Sequence, residues 1–412
     1  MRVGILYDDT LDRYGGVAQY CLTLARNLQA RGVEVEFLVG TSAEDRREGI
    51  PVRQLAHNLP VRFNGNRFST PVLVRSGSLS DLAGRHDVLH VQMPHSPAMA
   101  GRVITAAGPQ TAVVGTFHVA SDRGLVTASA RILAALSRRS IARIDRVLAV
   151  SESAASFARD HMGLEVGALV PNMIDFEDPD PIADSCAGPD EPGPVIAFVG
   201  RLVPRKGVRG LLTAFATTVA TVPSARLVVA GDGPDRGSLL AHASRLGIGA
   251  SVAFVGELSE EEKKRLLGRA DIACFPSLYG ESFGVVLLEA AAAGPAVIVG
   301  GDNPGHRSVL RDDRWLVDVR RPTSAGQRLA EIAALDRGAR LTIAREQRAG
   351  LRHYDATLVT DTVLRVYEEV LEARRRGAGS SPRRLRSQRG EGSPTPPGEA
   401  GDARASGSPG GS

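Results

Sequence analysis

Four short stretches of this sequence combine residue types and spacings suited to holding an anion beside a polyol. The first is Gly200-Arg201-Leu202 with Arg205-Lys206-Gly207. It follows the apolar run Val195–Val199, so it should lie at a strand's carboxyl end. There Arg201 can grip a phosphate in a fork and Lys206 can add a compact second charge. Together they would neutralise a diphosphate as it departs. A solvated basic loop is the plainer alternative, but the chain has only three lysines, Lys206, Lys263 and Lys264, so composition alone does not account for Lys206. The second stretch is GESFGVVLLE, which sets Glu281 between Gly280 and Gly284 and Glu289 about two turns into a helix over Val285–Ala293. Carboxylates accept hydrogen bonds from sugar and ribose hydroxyls, and a glutamate among Val286, Leu287, Leu288 and Ala290 needs a partner. The third is Tyr14-Gly15-Gly16-Val17, a turn without side-chain bulk leading into a helix whose first N–H groups suit an anion. The fourth is His118, ending the run Gly115-Thr116-Phe117-His118, where an imidazole can meet a hydroxyl or simply satisfy the backbone.

The elements that must position these residues alternate between apolar runs and helical spacings. Arg2–Tyr7, Val33–Val39, Val88–Val91, Ala112–Thr116 and Arg146–Val150 read as strands. Helical patterns fall over Gly16–Ala30, Pro97–Ala107 and Leu125–Arg143. After the Pro-, Gly- and acid-rich stretch Phe176–Pro194, the alternation restarts with strands at Val195–Val199, Arg226–Ala230, Ser251–Val255, Ile272–Phe275 and Ala296–Val299. Helices are expected over Val208–Val222, Glu260–Arg269 and Val285–Ala293. Repeated strand–helix units predict an α/β chain with two doubly wound, Rossmann-like domains and a cleft at the strand carboxyl ends. The expected divisions are a first domain over 1–176, a linker over 177–193, a second domain over 194–355, a helix over 356–375 and a tail over 376–412.

Composition narrows the classes further. The net charge of +4 resides in the tail, which from Arg374 onward carries eight Arg against three acidic residues. The body is slightly acidic, which argues against nucleic acid as a partner. Cys21, Cys186 and Cys274 are scattered, with neither a disulfide frame nor zinc spacing. No uncharged apolar run reaches the ~18 residues of a membrane span. A cytoplasmic protein is expected, with a disordered tail of Gly, Ser, Pro and Arg.

Taken together, these motifs resemble glycosyltransferase family 4, retaining enzymes with the GT-B fold. The resemblance covers about Met1–Arg375 and includes Pro171-Asn172 with Asp175, Gly231-Asp232-Gly233-Pro234 and Phe254-Val255-Gly256. It implies a nucleotide-diphosphate sugar as substrate, with no metal and no cofactor. Gly15 and Gly16 would present backbone to the donor phosphate, and Arg201 and Lys206 would hold the diphosphate. Glu281, with Ser282, Phe283 and Gly284, would bind the donor sugar, and Glu289 the ribose. His118 would sit by the anomeric centre, and the last helix would return to the first domain. The first-domain motifs are most similar to those of phosphatidylinositol α-mannosyltransferases, which implies GDP-mannose as donor, with Asn64 and Arg67 near an inositol-phosphate acceptor. The sequence departs from that group at Phe63 and at Asp8-Asp9. A lipid or small-molecule acceptor and a peripheral contact with the inner face of the cell membrane follow from the same resemblance. Two other readings stand beside it: a family member using a UDP-sugar on a different acceptor, and a non-catalytic nucleotide-sugar binder.

Overall fold

A computed structural model describes residues 1–13, 15–63, 66–74, 79, 81–82, 84–94, 96, 99–118, 135–176, 193–294 and 296–377, with backbone alone at 60–63, 66–68, 70 and 72–73. The stretch 125–134 of the helix expected over Leu125–Arg143, nearly all of the linker, and the tail from 378 lie outside the described residues.

The first half contains β1 (Arg2–Tyr7), β2 (Glu34–Val39), β3 (Arg46–Arg47), β4 (Ile50–Gln54), β5 (Ala56–Phe63), β6 (Asn66–Val74), β7 (Val88–Gln92), β8 (Ala112–Phe117), β9 (Arg146–Ala149) and β10 (Ala168–Leu169). Its helices are α1 (Gly16–Gln29), α2 (Met99–Ala106), the single turn α3 (Arg138–Ile141) and α4 (Glu152–Met162). The second half contains β11 (Val195–Val199), β12 (Arg226–Ala230), β13 (Val252–Gly256), β14 (Ile272–Phe275), β15 (Val297–Gly301) and β16 (Leu316–Val317). Its helices are α5 (Val208–Thr221), α6 (Arg236–Arg245), α7 (Glu260–Arg269), α8 (Val285–Ala293), α9 (Pro304–Leu310), α10 (Pro322–Ala334), α11 (Arg337–Leu351) and α12 (Ala356–Arg375).

Two separate sheets result. The first has the order β10-β9-β8-β7-β1-β2-β4-β3, parallel apart from the short β3–β4 pair, and the second has the order β13-β12-β11-β14-β15-β16. In each, the first strand has its sequential neighbour on one side and a later strand on the other. The strand order therefore reverses beside β1 and beside β11, and crevices open there at the carboxyl ends. Apolar clusters fill both faces of each sheet.

The sequence patterns did not anticipate β3, β4 or the antiparallel hairpin β5–β6. Pro60 and Pro71 interrupt that hairpin, and the β5–β6 pair stands apart from the main sheet. Proline is tolerated in such edge positions but hides the period-two signal.

Helix α12 is at the end of the described chain but packs in the first domain. Val363, Val366, Tyr367 and Val370 share one core with Cys21, Leu24 and Leu28 of α1. Arg374 clasps Asp145 with both terminal contacts at 2.8 Å, and Arg31 meets Asp361 at 2.7 Å. The chain leaves and re-enters the first domain side by side, where Ile174 and Asp355 form a backbone bridge. Among the described residues, no helix is long and apolar enough to cross a membrane.

Tyr367 is fully buried, and its hydroxyl lies 2.6 Å from His90 Nδ1. Tyr367→Phe keeps the ring but leaves a buried imidazole nitrogen unsatisfied, a loss of about 1–3 kcal/mol. Urea denaturation should show a lower midpoint with an unchanged slope; an unaltered midpoint would contradict this account of how α12 is fixed.

Candidate functional site

The second-domain crevice is built from loops that follow β11, β14 and β15. After β11, the chain turns through Arg201 and a short 3-10 turn, Pro204–Lys206, which ends at Gly207 with φ +72°. A Cβ on Gly207 would come within 2.2 Å of the Pro276 carbonyl oxygen, so only glycine permits this approach. The approach sets Lys206 beside the loop after β14. Lys206 Nζ lies 2.7 Å and Arg205 Nη1 3.0 Å from Glu281 Oε1. Burial alone would raise the Glu281 pKa, but Lys206, with His306 and Arg205, outweighs it and holds the carboxyl at about 2. Glu281 is thus a half-buried anion held between cations. Arg201 is half-buried on the same loop.

Gly284 follows with φ +106° and begins α8. A Cβ there would lie 2.6 Å from His306 Cδ2, a second position where close approach demands glycine. His306 is fully buried; its Nδ1 accepts the Gly301 N–H at 3.0 Å, and burial lowers its pKa to about 4. The ring of Phe283 is buried edge-on against Tyr354, so Phe283 can face the crevice only through its backbone; Ser282 is half-buried beside it. Glu289, farther along α8, pairs with Lys263 of α7 at 3.2 Å, and Lys263 also meets Glu260 at 2.7 Å.

The first domain brings its glycine turn to the same place. Gly15 is the extended residue before α1, and Gly16 is exposed at its first position. A Cβ on Gly16 would stand 3.9 Å from Val285 Cγ2, the first residue of α8. Helices α1 and α8 therefore meet start to start. Neither has a side-chain cap or an acidic residue in its first turn. Their positive dipole ends converge near Lys206 and Arg205, which reach Glu281 in the loop just before α8. This arrangement can hold a diphosphate.

His118 lies just past β8. It is buried, with Nε2 2.8 Å from Gln92 Oε1 and its ring edge-on to Tyr20, and burial lowers its pKa to about 3. Asp8, just past β1, has two buried carboxylate oxygens without a hydrogen-bond partner among the described residues. Burial raises its pKa to about 7, offset only in part by the nearby Ser96 hydroxyl and Ala100 N–H. Asp9 is fully engaged instead: it accepts from Thr10 N and Ser69 N, and also meets the Ser69 hydroxyl and Arg13. Asn64 lies outside the described residues. Arg67 is seen only as backbone in β6, so neither acceptor-side expectation has a side-chain geometry.

The structure brings Gly15, Gly16, Lys206, Glu281 and Gly284 to one crevice and places His118 at the carboxyl edge of the first sheet. Sequence reasoning missed Arg205 as a partner of Glu281, Lys263 as a partner of Glu289, and both Gln92 and His306. Only Gln92 left a trace, two residues after His90 on a run of strand character. The partners of the others lie far away in sequence.

Comparison with known proteins shows the family. Residues 14–178 match the model for Glycosyltransferase Family 4, and residues 185–348 match Glycosyl transferases group 1. The phosphatidyl-myo-inositol mannosyltransferase of Mycobacterium tuberculosis (strain ATCC 25618 / H37Rv) is 32% identical over 386 residues, covering 90% of this chain and 97% of the relative. The chain belongs to glycosyltransferase family 4. A D-inositol 3-phosphate glycosyltransferase from Rhodococcus opacus is 30% identical over 78% of this chain and 80% of its own length. Among solved structures, sucrose-phosphate synthase from Thermosynechococcus elongatus aligns with a TM-score of 0.67 at 17% identity, covering 90% of this chain and 99% of that one. Anabaena HepE in complex with UDP aligns at 0.69 and 16%, covering 90% and 100%. At those identities the likeness shows the fold, which is GT-B, in this family 4 glycosyltransferase.

The buried groups give it a definite acid response. His90, His118 and His306 have pKa values of about 3, 3 and 4, below the ordinary 6.5. The unfolded chain takes up protons through that ordinary value while the folded chain does not, so stability falls as pH drops from about 6.5 toward 4. Asp8 has the opposite sign, since its folded pKa of about 7 lies above the ordinary 3.8. Three histidines outweigh one aspartate. The low Glu281 pKa adds a further loss below about 4.5. Urea midpoints should change little from pH 7.5 to 8.5 and decline steadily between pH 6.5 and 4; a midpoint that rises on acidification would overturn this balance.

Proposed function

We propose that this glycosyltransferase moves a hexosyl group, with retention of configuration, from GDP-mannose to a hydroxyl of an inositol-containing lipid or a related small acceptor. The observation that carries the reading is the meeting of Gly16 with the start of α8, beside Lys206 and Glu281. In this reading Arg201 and Lys206 hold the donor diphosphate together with the first N–H groups of α1 and α8. Lys206 offers three N–H donors, one of which goes to Glu281. Glu281 then accepts hydroxyls of the hexose, Glu289 accepts those of the ribose, and His118 stands by the anomeric carbon. The leaving diphosphate gains charge as the glycosidic bond stretches, so donors aimed at it favour the transition state over the ground state. The acceptor hydroxyl arrives on the face the diphosphate leaves, and Asn64 and Arg67 hold the acceptor. No metal or cofactor takes part in this scheme. The choice of donor and acceptor rests on the relatives named phosphatidyl-myo-inositol mannosyltransferase. The reaction takes place in the cytoplasm, with peripheral contact at the inner membrane face.

A UDP-sugar donor is the second reading; Anabaena HepE, which shares the fold, was solved in complex with UDP. A thermal-shift panel of GDP-mannose, UDP-glucose, UDP-N-acetylglucosamine and UDP-galactose separates the two without an acceptor. GDP-mannose should give the largest stabilisation. Arg201→Ala and Lys206→Ala should each lower turnover by at least about 10²-fold, as for other preorganised charge stabilisers. Native turnover in either variant would remove its assigned role, and a strict dependence on Mg²⁺ or Mn²⁺ after EDTA treatment would contradict the metal-free scheme.

A further inference from the structure

The first-domain side of the crevice contains a polar pair that the functional reading leaves unexplained. Gln92 is the last residue of β7 and is fully buried. It pairs in register with Thr116 of β8, so His118, two residues on, projects from the same face of the sheet as its diagonal neighbour. That geometry brings Gln92 Oε1 to 2.8 Å from His118 Nε2, while Tyr20 of α1 packs edge-on over the imidazole with centroids 5.0 Å apart.

The same face holds a second imidazole, and the contrast between the two is informative. His90 lies between the Tyr367 hydroxyl at Nδ1 and the Thr116 hydroxyl at Nε2. A hydroxyl can donate or accept, so neither nitrogen of His90 is committed to the proton. The amide oxygen facing His118 can only accept, and it therefore commits Nε2 to carry the proton. Gln92 is an unfavourable choice for packing alone. Its amide nitrogen is buried without a partner among the described residues, and an apolar side chain of similar size would avoid that cost.

Building on the hexosyltransferase reading, we infer that Gln92 is a positioning residue: it accepts the His118 Nε2–H and so leaves Nδ1 as a hydrogen-bond acceptor for a hydroxyl of the bound sugar. Burial favours the neutral imidazole, so His118 acts here as a fixed dipole and not as a proton carrier. A neutral group also avoids placing a full positive charge beside a sugar ring that becomes cationic in the transition state.

Long-range ¹⁵N–¹H spectra of the full chain labelled at histidine nitrogen test this directly, with the His118 signals assigned by their loss in His118→Phe. At pH 7.5 the native protein should show His118 neutral, with the proton on Nε2. Gln92→Leu should give mixed tautomers and reduce the turnover of GDP-mannose hydrolysis by about tenfold or more, with the donor KM little changed. Gln92→Glu, which keeps the shape but adds a carboxylate, should convert His118 to imidazolium in the same spectra. A native proton on Nδ1, or Gln92→Leu turning over at the native rate, overturns the inference. If the native protein hydrolyses no GDP-mannose, the donor assignment fails, while the tautomer spectra still judge Gln92 independently.

Discussion

The meeting of two uncapped helix starts, α1 from one domain and α8 from the other, is the constraint on which the rest of the structure depends. Each start alone is a weak partial positive charge with unsatisfied N–H groups. Placed nose to nose near Lys206 and Arg205, they concentrate positive potential in the crevice. With no side chains at Gly15 and Gly16, the space in front of the two ends stays open. The two sheets reverse their strand order at β1 and at β11, and these reversals place the two helix starts on facing edges.

Concentrating positive charge in a partly buried crevice has an energetic cost that the fold must offset. Glu281 meets that need: one carboxylate oxygen takes both Lys206 and Arg205, and its depressed pKa reports how strongly the cations favour the anion despite burial. Gly207 and Gly284 make this geometry attainable, because both carry positive φ and both approach another chain segment too closely for a Cβ. Glu289 and Lys263 repeat the principle between α8 and α7.

The first domain uses a different electrostatic style. Along the face of its sheet toward α1 and α12 run His90, Thr116, Gln92 and His118, all buried and joined by hydrogen bonds without a paired carboxylate. One domain thus brings fixed charges to the crevice, and the other brings neutral dipoles. Helix α12 binds the neutral file from behind through Tyr367, so the last described helix supports the floor of the crevice.

The sequence by itself determined the two α/β units, the limits of α7 and α8, and the segments from which Gly16, His118, Lys206 and Glu281 come. These rest on local signals: period-two and helical apolar spacing, glycines at strand ends, and charges placed just after apolar runs. Tertiary structure alone decided the partners. Glu281 binds residues 75 and 76 positions away, His118 is tied to Gln92 across neighbouring strands, and Tyr367 reaches His90 over 277 positions. The hairpin β5–β6 likewise escaped notice, because prolines break its alternation and its pairing is with itself. Spacing along a chain fixes which face a side chain takes within its own element; which element lies opposite depends on sheet order and helix docking, and those follow from the burial of apolar surface over the whole molecule.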